Sequence, residues 1–486
     1  MSVLKKLAGQ TVIYGSSIIL ARLLNLSLTP LYTNLFSEET YGIYTNLYAY
    51  VAFVNVIFTF GMETTFFRFL QDKEDQKKVY QHAFYWVGLM ALVLSSLAAL
   101  IHPFLATIMK YEGQEHLILM LIGIVFLDGL AALPLAKLRQ EERIKWFATI
   151  TLTNVVVSIA ANLVFVYWLR LGIEYVFVAN LIASTIRTGM SWWKNLPGWL
   201  KFDRRLMDNM LNYGFFIMIA GFAGIMNETL DRIMIPYLWE DGKLFDGVAH
   251  TGKSLNGIYG ANYKVAMLIA LATQAFRYAA EPFFFKEAEN KDSPRTFARV
   301  FHYFLLAALT GFLVIGSFVS EIEGFNLFGL VKGTFVGKEF WAGQKVVPIL
   351  LLAYVFSAAY INMSIWFKIT KQTRFAILFT GVGALITILV NFFGIPTYGY
   401  MASAWATLIC YLTMAVLVYV VGQKYYPIPY RVRRSLLYLV LFLGAYFLNR
   451  SIGPTDGFAL AFLMKSMVIL AVLGVVYAAE RFKPVF

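Results

Sequence analysis

Long apolar runs alternate with short polar segments along all 486 residues of the chain. Most runs are close to 20 residues long, the length of an α-helix that crosses the hydrocarbon core of a bilayer. The pattern therefore predicts an all-α membrane protein with about fourteen transmembrane helices. These predicted spans 1 to 14 cover residues 11–33, 41–67, 80–101, 116–136, 147–168, 174–193, 211–236, 257–285, 297–319, 344–367, 374–394, 398–421, 433–449 and 458–479.

The basic residues between these runs follow a regular alternation. About 27 Lys and Arg residues lie at the two chain ends and in every second connection, against 8 in the remaining connections. Cytoplasmic loops of membrane proteins carry an excess of Lys and Arg. The alternation therefore predicts an even number of spans, with both termini in the cytoplasm and the two longer connections, 237–256 and 320–343, outside.

The composition indicates lipid as the main solvent, because 59% of the residues are hydrophobic and only 14% are charged, against about 25% charged in soluble domains. The basic loops account for the net charge of +13, so no nucleic-acid partner is expected. Cys410 is the single cysteine and the five histidines are scattered, so no metal site is predicted. A phosphate-binding loop and a Ser/His/Asp set are both missing, and we expect neither a cofactor nor enzymatic activity.

An internal repeat relates the first part of the chain to the second. Spans 2 and 8 both open with Gly-Ile-Tyr, at 42–44 and 257–259, and each has another tyrosine four residues later. Asn162 in span 5 is likewise matched by Asn391 in span 11. This order predicts two parallel six-helix repeats followed by an extra helix pair. The predicted parts are residues 1–205, 206–424 and 425–486.

Charges inside the spans are candidate functional groups, because a charge at the bilayer centre costs at least about 2.5–3.5 kcal/mol. Arg22 lies in the middle of span 1 with no partner on its own helix, which makes it the strongest functional candidate, followed by Lys264. The other candidates for a cavity, a gate or ion coupling are Glu63, Asp128, Glu228, Asp231, Arg232, Arg277 and Glu281. Polar and aromatic residues on the same helix faces are Asn25, Tyr44, Tyr48, Asn55, Tyr259, Tyr263 and Gln274.

Structural roles remain open for several of these charges. Glu228 and Arg232 have the i,i+4 spacing at which side chains on a helix can neutralise each other, and a second pair, Arg277 and Glu281, fits either a gate or a structural pair. Arg187 in span 6 and Lys465 in span 14 fit snorkelling to the membrane surface better than a substrate contact. Asp128 is open to pairing with a cation elsewhere in the fold.

Four segments resemble the polysaccharide-transporter family of flippases for lipid-linked oligosaccharides. They are residues 14–33, 257–286, 346–373 and 391–414. The family belongs to the superfamily that also holds the MATE multidrug extruders and the lipid II flippases. The resemblance implies a MATE-like bundle of two six-helix halves with an added helix pair, in which helices 1, 2, 7 and 8 line a central cavity. It also implies that cavity cations hold the pyrophosphate of a polyprenyl carrier, and the matching positions are Arg22, Lys264 and Arg277.

The function implied is that of a flippase, which moves a polyprenyl-pyrophosphate-linked oligosaccharide from the cytoplasmic to the periplasmic leaflet of a bacterial inner membrane for O-antigen or other surface polysaccharide. Its expected partners are this lipid, the bilayer and polysaccharide polymerases or glycosyltransferases, with the chain itself a monomer. One alternative is a MATE-type antiporter of small cations, which Asp128, Glu228 and Asp231 keep open. A less favoured alternative is a glycan polymerase or ligase, which would need a long outer loop with clustered charges.

Overall fold

The structure is a computed structural model that describes residues 19–70, 75–199, 201–288, 290–326, 333–452 and 458–482, without the side chains at 278, 279, 281, 282, 458 and 482. Its α-helices are α1 (19–26), α2 (Thr29–Leu35), α3 (Glu38–Thr59), α4 (Met62–Phe69), α5 (Gln76–Leu100), α6 (His102–Ile108), α7 (Glu115–Gln140), α8 (Ile144–Asn162), α9 (Glu174–Trp192), α10 (Arg204–Leu238), α11 (Gly252–Glu287), α12 (Ser293–Ser317), α13 (Val319–Glu323), α14 (Val347–Met363), α15 (Ile365–Ile369), α16 (Arg374–Tyr398), α17 (Tyr400–Tyr425), α18 (Val432–Ser451) and α19 (Phe458–Phe482). A π-helical turn (Leu163–Trp168) extends α8, a 3₁₀-helix (Lys338–Val346) precedes α14, and strands β1 (Leu244–Phe245) and β2 (Val248–Ala249) form a short hairpin.

Eleven helices within the described residues are long and apolar enough to cross a membrane. Predicted spans 6 and 8 correspond to α9 and α11, which are also long but carry more polar residues. Span 1 lies partly outside the described residues, which begin at residue 19 within it. The prediction of an all-α, multi-pass membrane protein is confirmed, and the count of fourteen spans stays a prediction.

Span 2 is one apolar run in the sequence but two helices in the structure. Phe60 and Gly61 both have left-handed backbone conformations, with φ of 49° and 65°. Such a residue cannot continue a right-handed α-helix, so α3 ends there and α4 begins. An added Cβ on Gly61 would lie 2.8 Å from the carbonyl oxygen of Gly214, so glycine at this break also allows a close approach of α10.

Packing divides the chain into two compact units. The N-terminal unit contains residues up to Leu244 and Val248–Gly257, and the C-terminal unit contains Phe245–Gly247 and the chain from Ile258 onward. In the N-terminal unit α7 packs on α3, α5 and α9, and α10 packs on α3 and α4. In the C-terminal unit α17 packs on α14 and α16, while α18 packs on α12 and α19. The boundaries of the predicted sequence repeats stay a prediction.

Small residues allow close helix packing, as is usual in membranes. In the C-terminal unit an added Cβ on Gly422 of α17 would lie 2.8 Å from Nε1 of Trp366. The indole therefore lies flat against the helix backbone, and Nε1 donates to the carbonyl of Val418 at 3.1 Å. This bond satisfies the polar atom of a fully buried tryptophan, which would otherwise be costly in an apolar core.

Candidate functional site

Arg22 lies on α1, and its side chain is exposed, as is that of Asn25 one turn later. The helix ends in a turn at Ser27 and Leu28, where the hydroxyl of Ser27 donates to the carbonyl of Leu24 at 2.5 Å. Pro30 lies in the first turn of α2. A backbone N–H at that position has no acceptor within the helix, so proline, which lacks an N–H, loses no hydrogen bond there. The exposed guanidinium of Arg22 thus lies a little more than one turn before the end of α1.

The two other predicted anion-binding residues share α11 and are both half-buried. Lys264 and Arg277 are thirteen residues apart, which is about 20 Å along a helix at 1.5 Å per residue. Arg277 lines a narrow cavity with Asn362 and Lys368, among other residues. The two cations therefore lie at different depths along the helix. The side chain of Glu281, the proposed partner of Arg277, lies outside the described residues.

The predicted tyrosines form an aromatic cluster in the N-terminal unit. The rings of Tyr44 and Tyr48 have centroids 4.7 Å apart, and Tyr48 stacks on Phe177 at 5.6 Å. The hydroxyl of Tyr48 accepts a hydrogen bond from Nδ2 of Asn180. Tyr44 and Tyr48 are thereby held by α9. Asn55, one further predicted residue of α3, is half-buried.

The repeat-related tyrosines of the C-terminal unit are more deeply buried. Tyr259 and Tyr263 have ring centroids 5.8 Å apart, and Tyr354 on α14 donates its hydroxyl proton to the oxygen of Tyr263. Both rings are buried. Gln274, about three turns beyond Tyr263, is half-buried, and its Oε1 has no hydrogen-bond partner in the described part of the chain.

Asp128 is paired with Arg187 across α7 and α9. Nη2 of Arg187 lies 2.6 Å from Oδ1 of Asp128, and the hydroxyl of Ser184 donates to the same oxygen at 2.8 Å. Both charged side chains are about one-fifth exposed. Arg187 therefore has a carboxylate partner instead of extending alone to the membrane surface. Lys465 is similar, because its Nζ lies 2.6 Å from Oε1 of Glu321.

The acidic candidates of the other helices differ in burial. Glu63 on α4 lies 2.8 Å from Nη2 of Arg139 on α7. Asp231 on α10 is buried, and its carboxylate accepts the backbone N–H of Arg232 at 2.8 Å. Glu228, one turn earlier, is exposed. The structure thus pairs Glu63 and Asp128 with arginines of α7 and α9.

Two repeat-related glycines meet where α3 and α11 begin, a contact that the pattern of charges in the sequence does not predict. An added Cβ on Gly42 would lie 1.8 Å from the carbonyl oxygen of Lys253, and one on Gly257 would lie 1.9 Å from that of Glu38. Nδ2 of Asn256 donates to the carbonyl of Gly42 at 3.2 Å. The sequence feature that marks this contact is the Gly-Ile-Tyr repeat, because each of the two glycines is the first residue of one copy.

Side-chain hydrogen bonds surround this crossing. The hydroxyl of Ser254 donates to Glu38 at 2.6 Å. Asn46 donates to the carbonyl of Arg232 at 2.7 Å, and its own oxygen accepts from the hydroxyl of Tyr111 at 2.8 Å. The crossing is thus tied to α10 and to the segment before α7. In the described part of the chain, no group of three or more His, Cys, Asp or Glu residues could hold a metal ion.

This arrangement of helices is the fold of a multi-pass membrane transporter. The lipid II flippase MurJ in an inward closed conformation matches with a TM-score of 0.74 at 14% identity, over 96% of this chain and 99% of the flippase. A MATE-family multidrug resistance transporter in an inward-facing conformation matches with a TM-score of 0.62 at 13% identity, over 87% and 94%. A MOP-superfamily transporter from Pyrococcus furiosus, described as having a binding pocket of reverse polarity, matches with a TM-score of 0.54 at 13% identity, over 87% and 94%.

Residues 7–286 match the family described as polysaccharide biosynthesis protein. The match covers more than half of the chain, and the chain therefore belongs to this family. No curated protein matches it. The resemblance to polysaccharide transporters and the MATE-like fold are confirmed, and the three solved structures named above are a flippase and two transporters, not enzymes. The chain is accordingly a membrane protein of the polysaccharide biosynthesis family with the fold of these flippases and transporters.

Proposed function

We propose that the chain moves a polyprenyl-pyrophosphate-linked oligosaccharide from the cytoplasmic to the periplasmic leaflet of a bacterial inner membrane, for the assembly of a surface polysaccharide such as O-antigen. The observation that carries this proposal is the exposed guanidinium of Arg22 on α1, within a predicted membrane span, in a chain of the polysaccharide biosynthesis family. An exposed cation in such a span has a natural ligand in an anionic lipid-linked substrate.

The physical problem that such a protein solves is desolvation. A bare charge in hydrocarbon costs tens of kcal/mol by Born solvation, and every unpaired hydroxyl of a glycan adds to the cost. A polar path with a fixed cation replaces the lost water around the pyrophosphate, while the polyprenyl tail stays in the lipid. Arginine suits this role because its planar fork can pair with two phosphate oxygens at once.

Lys264 and Arg277 extend this proposal to more than one stage of transport. Because the two residues lie about 20 Å apart along α11, we assign them to successive contacts with the pyrophosphate instead of a single chelating site. Both side chains are half-buried, so solvent screens their attraction to the pyrophosphate less than it would at the surface. Loss of either cation should then slow one stage of transport, whereas loss of Arg22 should prevent capture.

A MATE-type cation antiporter is the second candidate, supported by the likeness of the fold to MATE transporters. Binding of an organic cation favours carboxylates without a fixed counter-charge. Asp128 and Glu63 instead lie 2.6 and 2.8 Å from Arg187 and Arg139, which argues against them as cation sites. The family match to polysaccharide biosynthesis also favours the flippase.

Export measured in cells that depend on this chain for surface polysaccharide tests the proposal. We expect Arg22→Ala to abolish export at unchanged protein level and Arg22→Lys to retain part of it, since the charge stays but the forked geometry is lost. Arg204→Ala is the matched control, because this arginine of the same unit is 87% exposed and pairs only loosely, at 3.8 Å, with Asp208. Normal export by Arg22→Ala, or specific binding of a cationic dye by the purified protein, would contradict the proposal.

The alternation of basic connections predicts that both termini and the connection before α12 lie in the cytoplasm. Lys291 and Glu240 are exposed residues of connections predicted to lie on opposite sides. After replacement of Cys410, we expect Lys291→Cys to react with a membrane-impermeant thiol reagent only in opened cells, and Glu240→Cys to react in cells with a permeable outer envelope. Labelling of both from the same side would refute the proposed topology.

A further inference from the structure

A groove of about 980 Å³ opens in the C-terminal unit, outside the candidate site described above. It lies where α18 begins, beside the end of α19 and the last turns of α17. The groove is lined by Tyr419, Tyr430, Arg431, Val432, Arg433, Arg434, Leu437, Tyr438, Ala478 and Ala479. Its volume is in the range of 300–1,000 Å³ that is typical of small-molecule sites.

Three arginines within four residues give this groove its charge. Arg431 is the N-cap residue of α18, and Arg433 and Arg434 follow in the first turn. Arg431 and Arg433 are exposed at the rim. The amide groups at the start of a helix also favour an anion. The rim is therefore positively charged at the point where a membrane span begins.

The third arginine is fixed by the protein itself. Nη2 of Arg434 lies 2.9 Å from Oε1 of Glu480 and donates to the carbonyl of Ala479 at 2.8 Å. Glu480 also accepts the hydroxyl proton of Tyr438, and Nε2 of His302 lies 3.1 Å away. Glu480 thus neutralises the interior of the cluster and ties α18 to α19 and α12. Arg431 and Arg433 lie at the exposed rim of the groove and contribute their positive charges there.

An exposed apolar surface continues from the groove along α18. Leu437 and Val440 are 61% and 67% exposed, and Leu436 is also exposed. Lipid chains cover such surfaces in a membrane. Tyr430 borders the groove on the other side, where burial raises the pKa of its hydroxyl, so that the group stays a neutral hydrogen-bond donor. A charged rim above an apolar helix face has the shape and chemistry of a phosphate headgroup with its acyl chains.

We propose that this groove binds the headgroup of an anionic membrane lipid, with the phosphate on Arg431 and Arg433 and the chains along Leu437 and Val440. Basic pockets between transmembrane helices recognise anionic headgroups in this way. The site is separate from Arg22, Lys264 and Arg277 and does not depend on which substrate the protein moves. The bound lipid would lie beside the cluster that joins α18, α19 and α12, because Arg434, the groove's third arginine, belongs to that cluster.

Native mass spectrometry of the full-length protein in neutral detergent tests the proposal, with titration of phosphatidylglycerol and, separately, of phosphatidylcholine. We expect selective binding of phosphatidylglycerol and, in the Arg431→Gln, Arg433→Gln variant, roughly 30-fold weaker binding, at about 1 kcal/mol for each basic residue. The Arg431→Lys, Arg433→Lys variant should retain most of the affinity. The matched control is Lys371→Gln, Arg374→Gln, which removes two exposed cations elsewhere on the same unit. Glycerol phosphate and inorganic phosphate serve as soluble probes.

Equal binding of the two lipids would overturn the proposal, and so would an equal loss of binding in the control variant. Binding of glycerol phosphate or inorganic phosphate as strong as that of the lipid would show a site for soluble phosphate instead. If the glutamine variant is unstable, two measurements replace it. One is the affinity of the lysine variant for phosphatidylglycerol, and the other is whether phosphatidylglycerol raises the unfolding temperature of the unmodified protein more than phosphatidylcholine does. In that case, stabilisation by both lipids alike would refute the proposal.

Discussion

Substitution of Gly42 by alanine should destabilise the protein, although alanine is the better helix former. The added Cβ would lie 1.8 Å from the carbonyl oxygen of Lys253, whereas ordinary contacts begin at 3.4 Å. The obstacle is backbone and cannot rotate away as a side chain would. The start of α3 would therefore have to separate from the start of α11 by about 1.6 Å.

The cost of this separation follows from overpacking and from the bonds around the crossing. Overpacking of a well-packed contact typically costs about 1–3 kcal/mol. The same movement stretches the hydrogen bonds from Asn256 to Gly42 and from Ser254 to Glu38, each worth about 0.5–1.5 kcal/mol. The gain in helix propensity, about 1 kcal/mol, offsets only part of this. We expect a net loss of about 1–5 kcal/mol.

Thermal unfolding of the purified protein in detergent measures the effect. Gly189→Ala is the control, because this glycine of α9 has no heavy atom within 4 Å of an added Cβ, so it should keep or slightly raise the unfolding temperature. Gly42→Ala and Gly257→Ala should each lower it. The double variant should lose less than the sum of the two losses, because one separation accommodates both methyl groups. Unchanged unfolding temperatures for both single variants would refute the reasoning.

Three further predictions concern charges. Asp128→Asn should destabilise the protein by about 1–3 kcal/mol because it leaves Arg187 partly buried without its carboxylate. In thermal unfolding, the double variant Asp128→Asn, Arg187→Gln should recover part of this loss. Additive losses of the two single variants would contradict the pairing. Burial raises the pKa of Glu323 to about 8, so the carboxyl proton is lost at lower pH in the unfolded chain than in the folded protein. The free energy of unfolding should therefore fall as pH rises from about 4.5 to 8, by up to about 5 kcal/mol. Glu323→Gln should flatten this pH profile of unfolding, and an unchanged profile in that variant would contradict the prediction. An inside-negative potential should speed outward transfer of the doubly charged pyrophosphate lipid in proteoliposomes. The driving force is about 2.3 kcal/mol per charge per 100 mV. A transfer rate that responds only to an ion gradient would instead indicate antiport.

Local periodicity is enough to predict the membrane class of this chain. Helices that cross lipid must satisfy all their backbone hydrogen bonds internally and present apolar side chains outward, so each one leaves a run of about 20 apolar residues in the sequence. The basic loops and the Gly-Ile-Tyr repeat predict topology and pseudo-symmetry in the same local way, and both stay predictions. The identification of the family rests on such segments as well, and Arg22 could be named because a charge in an apolar run is visible without a structure.

Tertiary structure alone decided which distant residues meet. The helices that carry Asp128 and Arg187 could be predicted from the sequence. The hydrophobic periodicity of each helix does not predict that α7 and α9 pack so that these two side chains touch. The same holds for Gly42 and Gly257, which the sequence marks as a repeat but not as a crossing, and for Arg434 and Glu480. Membrane helices have little hydrophobic preference for one another over lipid, so their partners are chosen by shape and hydrogen bonds between surfaces far apart in the chain.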